Sequence, residues 1–171
     1  MQVQVLPIND FLLQMGLKKP LVLDTRSEKE FEKAHLPGAI SLPLLNNEQR
    51  HIIGTVYKKE GRQSAVLKGF ELVGPEFHGK IKYVLEEAKG KPVFLYCWRG
   101  GMRSNIMAWL LQMAGLKVFL LEGGYKSFRH WVLKQLNRPL KILILGGKTG
   151  SGKTDLLKMM RSRGEQTIDL E

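Results

Sequence analysis

Along most of this chain, short apolar runs alternate with stretches of helical periodicity. Leu21-Val22-Leu23 predicts a strand that ends at Asp24, and Glu28 to Ala34 predicts a short helix stopped before Pro37-Gly38. Ala39-Ile40-Ser41-Leu42 predicts a second strand. Phe77, Ile81, Val84, Leu85 and Ala88 recur at spacings of four, three, one and three, which is one face of an amphipathic helix, and Gly90 is its stop. Pro92-Val93-Phe94-Leu95-Tyr96 predicts a buried strand, Ser104 to Ala114 a helix ended by Gly115, and Val118-Phe119-Leu120-Leu121 a further strand. Tyr125, Phe128, Val132 and Leu136 mark one more helix, closed by Pro139. This alternation predicts an α/β fold, with a parallel, doubly wound sheet. The segment from Asn46 to Val73 is polar and mixed; it is long for a loop and is expected to carry short helices of its own. No internal repeat appears.

Asn137-Arg138-Pro139 is the candidate boundary. Beyond it the pattern predicts a strand at Lys141-Ile142-Leu143-Ile144-Leu145, a helix at Asp155-Leu156-Leu157-Lys158-Met159-Met160, and the start of another strand at Thr167-Ile168-Asp169-Leu170. Between the first two lies Gly147-Lys148-Thr149-Gly150-Ser151-Gly152-Lys153-Thr154, which fits G-x-x-x-x-G-K-[ST] in full. In such a loop the glycines let backbone N–H groups approach phosphate oxygens, Lys153 reaches the outer phosphates, and Thr154 can hold Mg²⁺. A P-loop domain needs a sheet covered on both faces, and domains usually need at least ~50 residues. The expectation is therefore a complete domain over residues 1–136 and only the start of a P-loop domain over residues 139–171. The chain then reads as the N-terminal part of a longer protein.

Charge changes the picture of partners. The net charge is +11, from 27 Lys+Arg against 16 Asp+Glu in 171 residues. Such a balance points to a polyanion, with tRNA or other RNA ahead of a membrane. The basic residues are dispersed, however, with no arginine-rich tract. No apolar run reaches the 18 residues of a transmembrane helix, and the opening segment has neither a basic nor an apolar leader region. The only cysteine cannot form an internal disulfide, which fits a reducing cytoplasm.

That cysteine is the main candidate for chemistry. Cys97 ends the Pro92–Tyr96 strand and heads the loop Cys97-Trp98-Arg99-Gly100-Gly101-Met102-Arg103, just before a helix. Free cysteine is commonly a small buried hydrophobe, but packing filler does not need two glycines and two arginines beside it. A helix start and nearby guanidinium groups stabilise a thiolate, and the N–H groups of such a turn can cradle an anion on the sulfur. Two chemistries stay open. The spacing C-x-x-x-x-x-R suits a cysteine phosphatase, although those enzymes usually carry His where this chain has Tyr96. The alternative is chalcogen transfer, with Cys97 carrying an extra S or Se; without a second cysteine, the acceptor must be external. Elsewhere, Asp24, Arg26, Glu28 and Glu30 read as an ion-pair cluster tying down a loop, and His35 as a hydrogen-bonded turn residue. His51, His78 and His130 show no metal spacing, so no metal site is expected. Trp109 and Trp131 fit core-facing helical stripes.

Several stretches together resemble the rhodanese homology domain: Val22-Leu23-Asp24-Thr25-Arg26 with Glu30-Phe31, His35-Leu36-Pro37-Gly38-Ala39, the Cys97 loop, and Leu121-Glu122-Gly123-Gly124-Tyr125-Lys126. A rhodanese domain joined to a P-loop resembles the tRNA 2-selenouridine synthase family. Further stretches are similar to that family's own motifs: Cys97 through Arg103 to Ser104, Asn46-Asn47-Glu48-Gln49-Arg50, Gly54-Thr55-Val56-Tyr57-Lys58, Gly146 through Thr154, and Asp169-Leu170-Glu171. The resemblance implies a rhodanese-like domain with a central parallel sheet flanked by helices over 1–136, followed by the truncated start of a P-loop domain. It implies a transferase that modifies the wobble uridine of tRNAs with Lys-, Glu- and Gln-type anticodons. In that family 2-thiouridine is S-geranylated from geranyl diphosphate, and the geranylthio group is then replaced by selenium from selenophosphate. By the same resemblance Cys97 is the essential cysteine of selenation, and the loop around Lys153 binds the diphosphate. No tightly bound cofactor is implied.

Overall fold

The computed structural model describes residues 3–139 and 141–170. It falls into two compact units, Met1–Leu136 and Asn137–Glu171. The first opens with β1 (Gln4–Leu6), α1 (Ile8–Lys18), β2 (Leu21–Asp24), α2 (Glu28–Lys33) and β3 (Ile40–Ser41). It continues through α3 (Asn47–Glu60), α4 (Arg62–Val73), α5 (Phe77–Ala88), β4 (Val93–Tyr96), α6 (Met102–Met113), β5 (Val118–Leu121) and α7 (Gly124–Leu136). The five strands form one sheet in the order β1-β5-β4-β2-β3, and every pairing is parallel.

The central strands β2, β4 and β5 are buried along their whole length. Continuous apolar runs are what a parallel sheet covered on both faces requires. Successive side chains point to opposite faces, so each run supplies two cores. Leu21, Leu23, Val93, Leu95, Val118 and Leu120 pack on Val84 and Ala88 of α5 and on Met107, Ala108 and Leu111 of α6. Val22, Phe94, Tyr96, Phe119 and Leu121 face the other way, with Phe11 of α1 and Tyr125 of α7. Phe94 is fully buried, with the rings of Phe11 and Phe119 each 4.9 Å from its own.

The strand–helix alternation from Leu21 to Leu136 follows the sequence pattern closely. Three features depart from it. The first eighteen residues add an edge strand and a helix that the pattern did not single out. Asn46–Val73 forms two full helices of 14 and 12 residues, not short ones. Asn46 caps the first through a reciprocal pair with Gln49 (2.8 and 3.0 Å), and Gly61, at φ 88°, breaks the chain between them. Trp109 is not a core residue: it is 57% exposed, because the buried face of α6 carries Ser104, Met107, Ala108 and Leu111 and leaves position 109 outside.

In the second unit, α8 (Lys153–Ser162) follows the glycine-rich loop. The strands expected at Lys141–Leu145 and Thr167–Leu170 are absent, and Ile142, Leu143 and Ile144 are 74–87% exposed. A strand is defined by the ladder it shares with a neighbour, and the described residues of this unit supply no partner. Glu171, the last residue of the Asp169-Leu170-Glu171 motif, lies outside the described residues, as do Met1, Gln2 and Leu140. No helix among the described residues is long and apolar enough to cross a membrane.

Candidate active site

The carboxyl ends of β2, β4 and β5 lie side by side, where open α/β sheets place their sites. Three loops leave from there and are tied together by backbone bonds. Thr25 N donates to Tyr96 O (2.9 Å), Tyr125 N to Cys97 O (2.8 Å) and Lys126 N to Trp98 O (3.0 Å). Gly124 is what permits this closeness. It sits at φ 59°, and a Cβ there would run into Cys97 O and stand 2.6 Å from Gly100 N. Gly100, at φ 67°, would press a Cβ to 3.0 Å from Leu121 O.

Within this clamp the Cys97 loop turns back on its own sulfur. Gly101 N–H donates to Cys97 Sγ at 3.2 Å, and Ser104 Oγ lies 3.2 Å from the same sulfur. Cys97 is only 3% exposed, so burial pushes its thiol up. The Ser104 hydroxyl and backbone N–H, the Arg99 backbone N–H and the Arg103 charge outweigh burial, and the thiol settles below its ordinary value. The sulfur is thus held as a nucleophile in a nest of donors.

The two arginines of the loop do different things. Arg99 is exposed and acts on the sulfur through its backbone N–H, not its guanidinium. Arg103 Nη1 donates to Glu30 Oε2 at 2.8 Å, and Arg50 Nε reaches the same oxygen at 3.2 Å. Burial raises the Glu30 carboxyl, but Arg103, Ser27 and Arg50 together hold it below the usual range. Ser104 and Glu30 were not singled out as site residues in the sequence. The signal for Ser104 was available, since it follows Arg103 at the helix start; Glu30 was expected in an ion-pair cluster with Asp24 and Arg26, and its actual partners, Arg103 seventy-three positions away and Arg50, were not legible.

Beneath the loop, Arg26 pairs with Asp24 through its Nη2 (2.6 Å) and Nε (2.9 and 3.0 Å), and both side chains are buried. The Arg26 guanidinium also donates to Ala34 O and lies 3.9 Å from the centre of the Tyr125 ring. This is the structural ion pair expected of Asp24 and Arg26. His35 Nδ1 lies 2.9 Å from Phe31 O, in keeping with a turn residue.

Two cavities flank the loop and share Arg103. One, of about 480 Å³, is apolar: α3 and α4 line it with Ile53, Tyr57, Val66 and Phe70, and α6 adds Met102 and Ile106. The other, of about 500 Å³, is cationic and aromatic, with Lys33, Arg50, Arg129, Trp98 and Tyr125 in its wall.

In the second unit, the Lys153 ammonium donates to Gly147 O (3.0 Å) and Lys148 O (3.1 Å), folding the loop around itself. Gly150 (φ 80°) and Gly152 (φ 78°) take left-handed conformations that a side chain would resist, and Gly152 caps α8. Thr149 and Ser151 lie in the turn, and Thr154 in the first turn of the helix.

A five-stranded parallel sheet with a cysteine nest at its carboxyl edge is a rhodanese architecture. The rhodanese-like domain model matches residues 8–130, and the chain belongs to that family. Within it, the chain is 39% identical to the tRNA 2-selenouridine synthase of Sulfurovum sp. (strain NBC37-1), over 97% of this chain and 46% of that protein. It is 38% identical to the enzyme of the same name from Pseudomonas fluorescens (strain Pf0-1), over 100% of this chain and again 46% of the relative. The chain therefore spans less than half the length of the curated relatives it matches. Among solved structures it is similar to the N-terminal domain of a Clostridium difficile 630 protein described as ATP/GTP binding, with 37% identity and a TM-score of 0.70. That match covers 76% of this chain and 99% of the other.

Proposed function

We propose that this chain is the sulfur- and selenium-handling part of a tRNA 2-selenouridine synthase. The complete protein converts wobble 2-thiouridine in tRNA to 2-selenouridine through an S-geranylated intermediate, with selenophosphate as donor. The carrying observation is the Cys97 sulfur, which accepts from Gly101 N–H and, though buried, is held below its ordinary pKa by the Ser104 hydroxyl and backbone N–H, the Arg99 backbone N–H and the Arg103 charge. Similarity to synthases of that name over nearly the whole chain supports the reading. The exchange is redox-neutral: water takes the phosphoryl group of selenophosphate, selenide replaces the geranylthio group, and geranyl thiol leaves. By the family resemblance Cys97 is the cysteine on which this step depends, and the loop donors hold it as a thiolate beside the reacting groups.

The apolar cavity beside Met102 and Arg103 has the volume and lining to receive the hydrocarbon of the S-geranylated intermediate. The diphosphate of geranyl diphosphate would displace the Gly147 and Lys148 carbonyls from Lys153, and Thr154 would hold Mg²⁺. The tRNA substrates would carry Lys-, Glu- and Gln-type anticodons, in the cytoplasm. Nucleoside mass spectrometry of tRNA from cells with the full-length protein tests the core of this: Cys97→Ala abolishes 2-selenouridine, and retention of selenation removes Cys97 from the mechanism.

A generic sulfurtransferase is the second reading, favoured by the rhodanese-like match alone. There the Cys97 thiolate takes the outer sulfur of thiosulfate, sulfite leaves, and cyanide accepts the sulfur as thiocyanate. Rapid thiocyanate formation indifferent to tRNA would favour that reading.

A further inference from the structure

The cationic cavity beside the Cys97 loop has a wall drawn from four helices, α2, α3, α6 and α7, and from the loops that carry Arg26 and Trp98, and its chemistry is unlike that of the apolar cavity. Arg26, Lys33, Arg50, Arg103 and Arg129 contribute positive charge, and Glu30 is the one carboxylate. Arg26 is already matched by Asp24 below the cavity. Glu30 can match only one of Arg50 and Arg103, which share its oxygen. Three positive charges therefore remain for a ligand. Lys33 and Arg129 are exposed and stand on different helices, α2 and α7. Between them is aromatic surface: Trp98, half-buried and adjacent in sequence to Cys97, with its ring 5.7 Å from that of Tyr125. Tyr125 is itself fixed from behind by Arg26. An aromatic plate ringed by guanidinium and ammonium groups is how proteins hold an unpaired base and its phosphates. A volume of about 500 Å³ takes a single drug-sized ligand, and not a base-paired helix.

We propose that this cavity receives one extruded nucleotide of single-stranded RNA, with the base stacked on Trp98 and the flanking phosphates held by Arg129, Lys33 and Arg50. The inference rests on the proposed tRNA-modifying role and adds the residues that hold the base next to the Cys97 loop. A base can reach chemistry inside a folded loop only when it leaves its stack, and Trp98, the residue after Cys97, lines the cavity where it would stabilise the extruded state.

The test is fluorescence anisotropy of the full chain with a labelled stem-loop RNA bearing uridines in its loop, at several salt concentrations. The fully paired duplex of the same stem and a poly-glutamate peptide serve as competitors. Trp98→Ala weakens stem-loop binding by about tenfold, whereas Trp98→Phe retains most of it. Arg129→Glu weakens binding and lowers the salt slope by about 0.7 or more. Lys82→Glu, the same charge change on α5 away from the cavity, has a smaller effect on both. The proposal is overturned if Trp98→Ala binds normally, if Lys82→Glu matches Arg129→Glu, or if duplex or poly-glutamate displaces the stem-loop as well as free stem-loop does. Selenation lost in Cys97→Ala alongside unaltered RNA binding in Trp98→Ala would leave the enzyme reading standing and remove this one. Failure of the unsubstituted chain to bind the stem-loop would sink it as well.

Discussion

Ser104 has one hydroxyl proton and two neighbours for it, Cys97 Sγ and Gly101 O, each 3.2 Å away. When the sulfur is ionised it is the stronger acceptor, so the hydroxyl turns to it and holds the thiolate. When the sulfur is protonated the hydroxyl can return to the carbonyl at little cost. This switch favours the charged form only, which is the condition for a lowered pKa. The pH profile of Cys97 alkylation by iodoacetamide should therefore have its midpoint below the ordinary thiol value of about 8.5. Reactivity is present above that midpoint and falls as pH drops through it. Ser104→Ala removes a hydrogen bond to a charged group, worth about 1.5–3 kcal/mol, and should raise the midpoint by about one pH unit or more. Arg99→Ala should leave the midpoint nearly unchanged, because the donor at position 99 is the backbone. A profile for Ser104→Ala that overlays the unsubstituted protein would contradict this account.

At the scale of elements, three loops make the site and glycines set their spacing. Gly124 begins α7 at a positive φ with no room for a Cβ against the Cys97 turn. Gly124→Ala must either open that contact or distort the helix start, and it should cost about 1–3 kcal/mol in urea unfolding. It should also raise the Cys97 alkylation midpoint, since the turn carries the donors. Phe94 works one layer deeper. Phe94→Ala removes a ring packed between two others in the centre of β4 and should cost about 3–5 kcal/mol, measured in the same way. The helices α5, α6 and α7 and the strands β2, β4 and β5 were legible because each is long enough, or apolar enough, to show its period. β1 was not, because three residues at a sheet edge, two of them exposed, carry little pattern. The α3–α4 pair was expected only as short helices, because its polar composition, which suits helices with few fully buried positions, hid their full length.

For the whole molecule, the site belongs to the unit Met1–Leu136, with its own sheet and both of its cores. A fragment ending at Leu136 should accordingly unfold cooperatively in urea and keep the Cys97 alkylation profile of the full chain; a non-cooperative transition would show that the boundary is misplaced. What the sequence determined by itself was the set of local facts: apolar runs that must be buried on two faces, a lone thiol ahead of glycines and a helix start, and a glycine-rich loop ending in Lys153. These follow from neighbouring residues, whose geometry the backbone fixes directly. Only the tertiary structure decided what the charges do. It spent Arg103 on Glu30, left Arg99 facing solvent, left Ile142–Ile144 without a ladder, and placed an apolar and a cationic cavity that share Arg103. Those outcomes depend on residues brought together from distant parts of the chain, and electrostatic and pairing energies fall off too steeply with distance to be read from order along it.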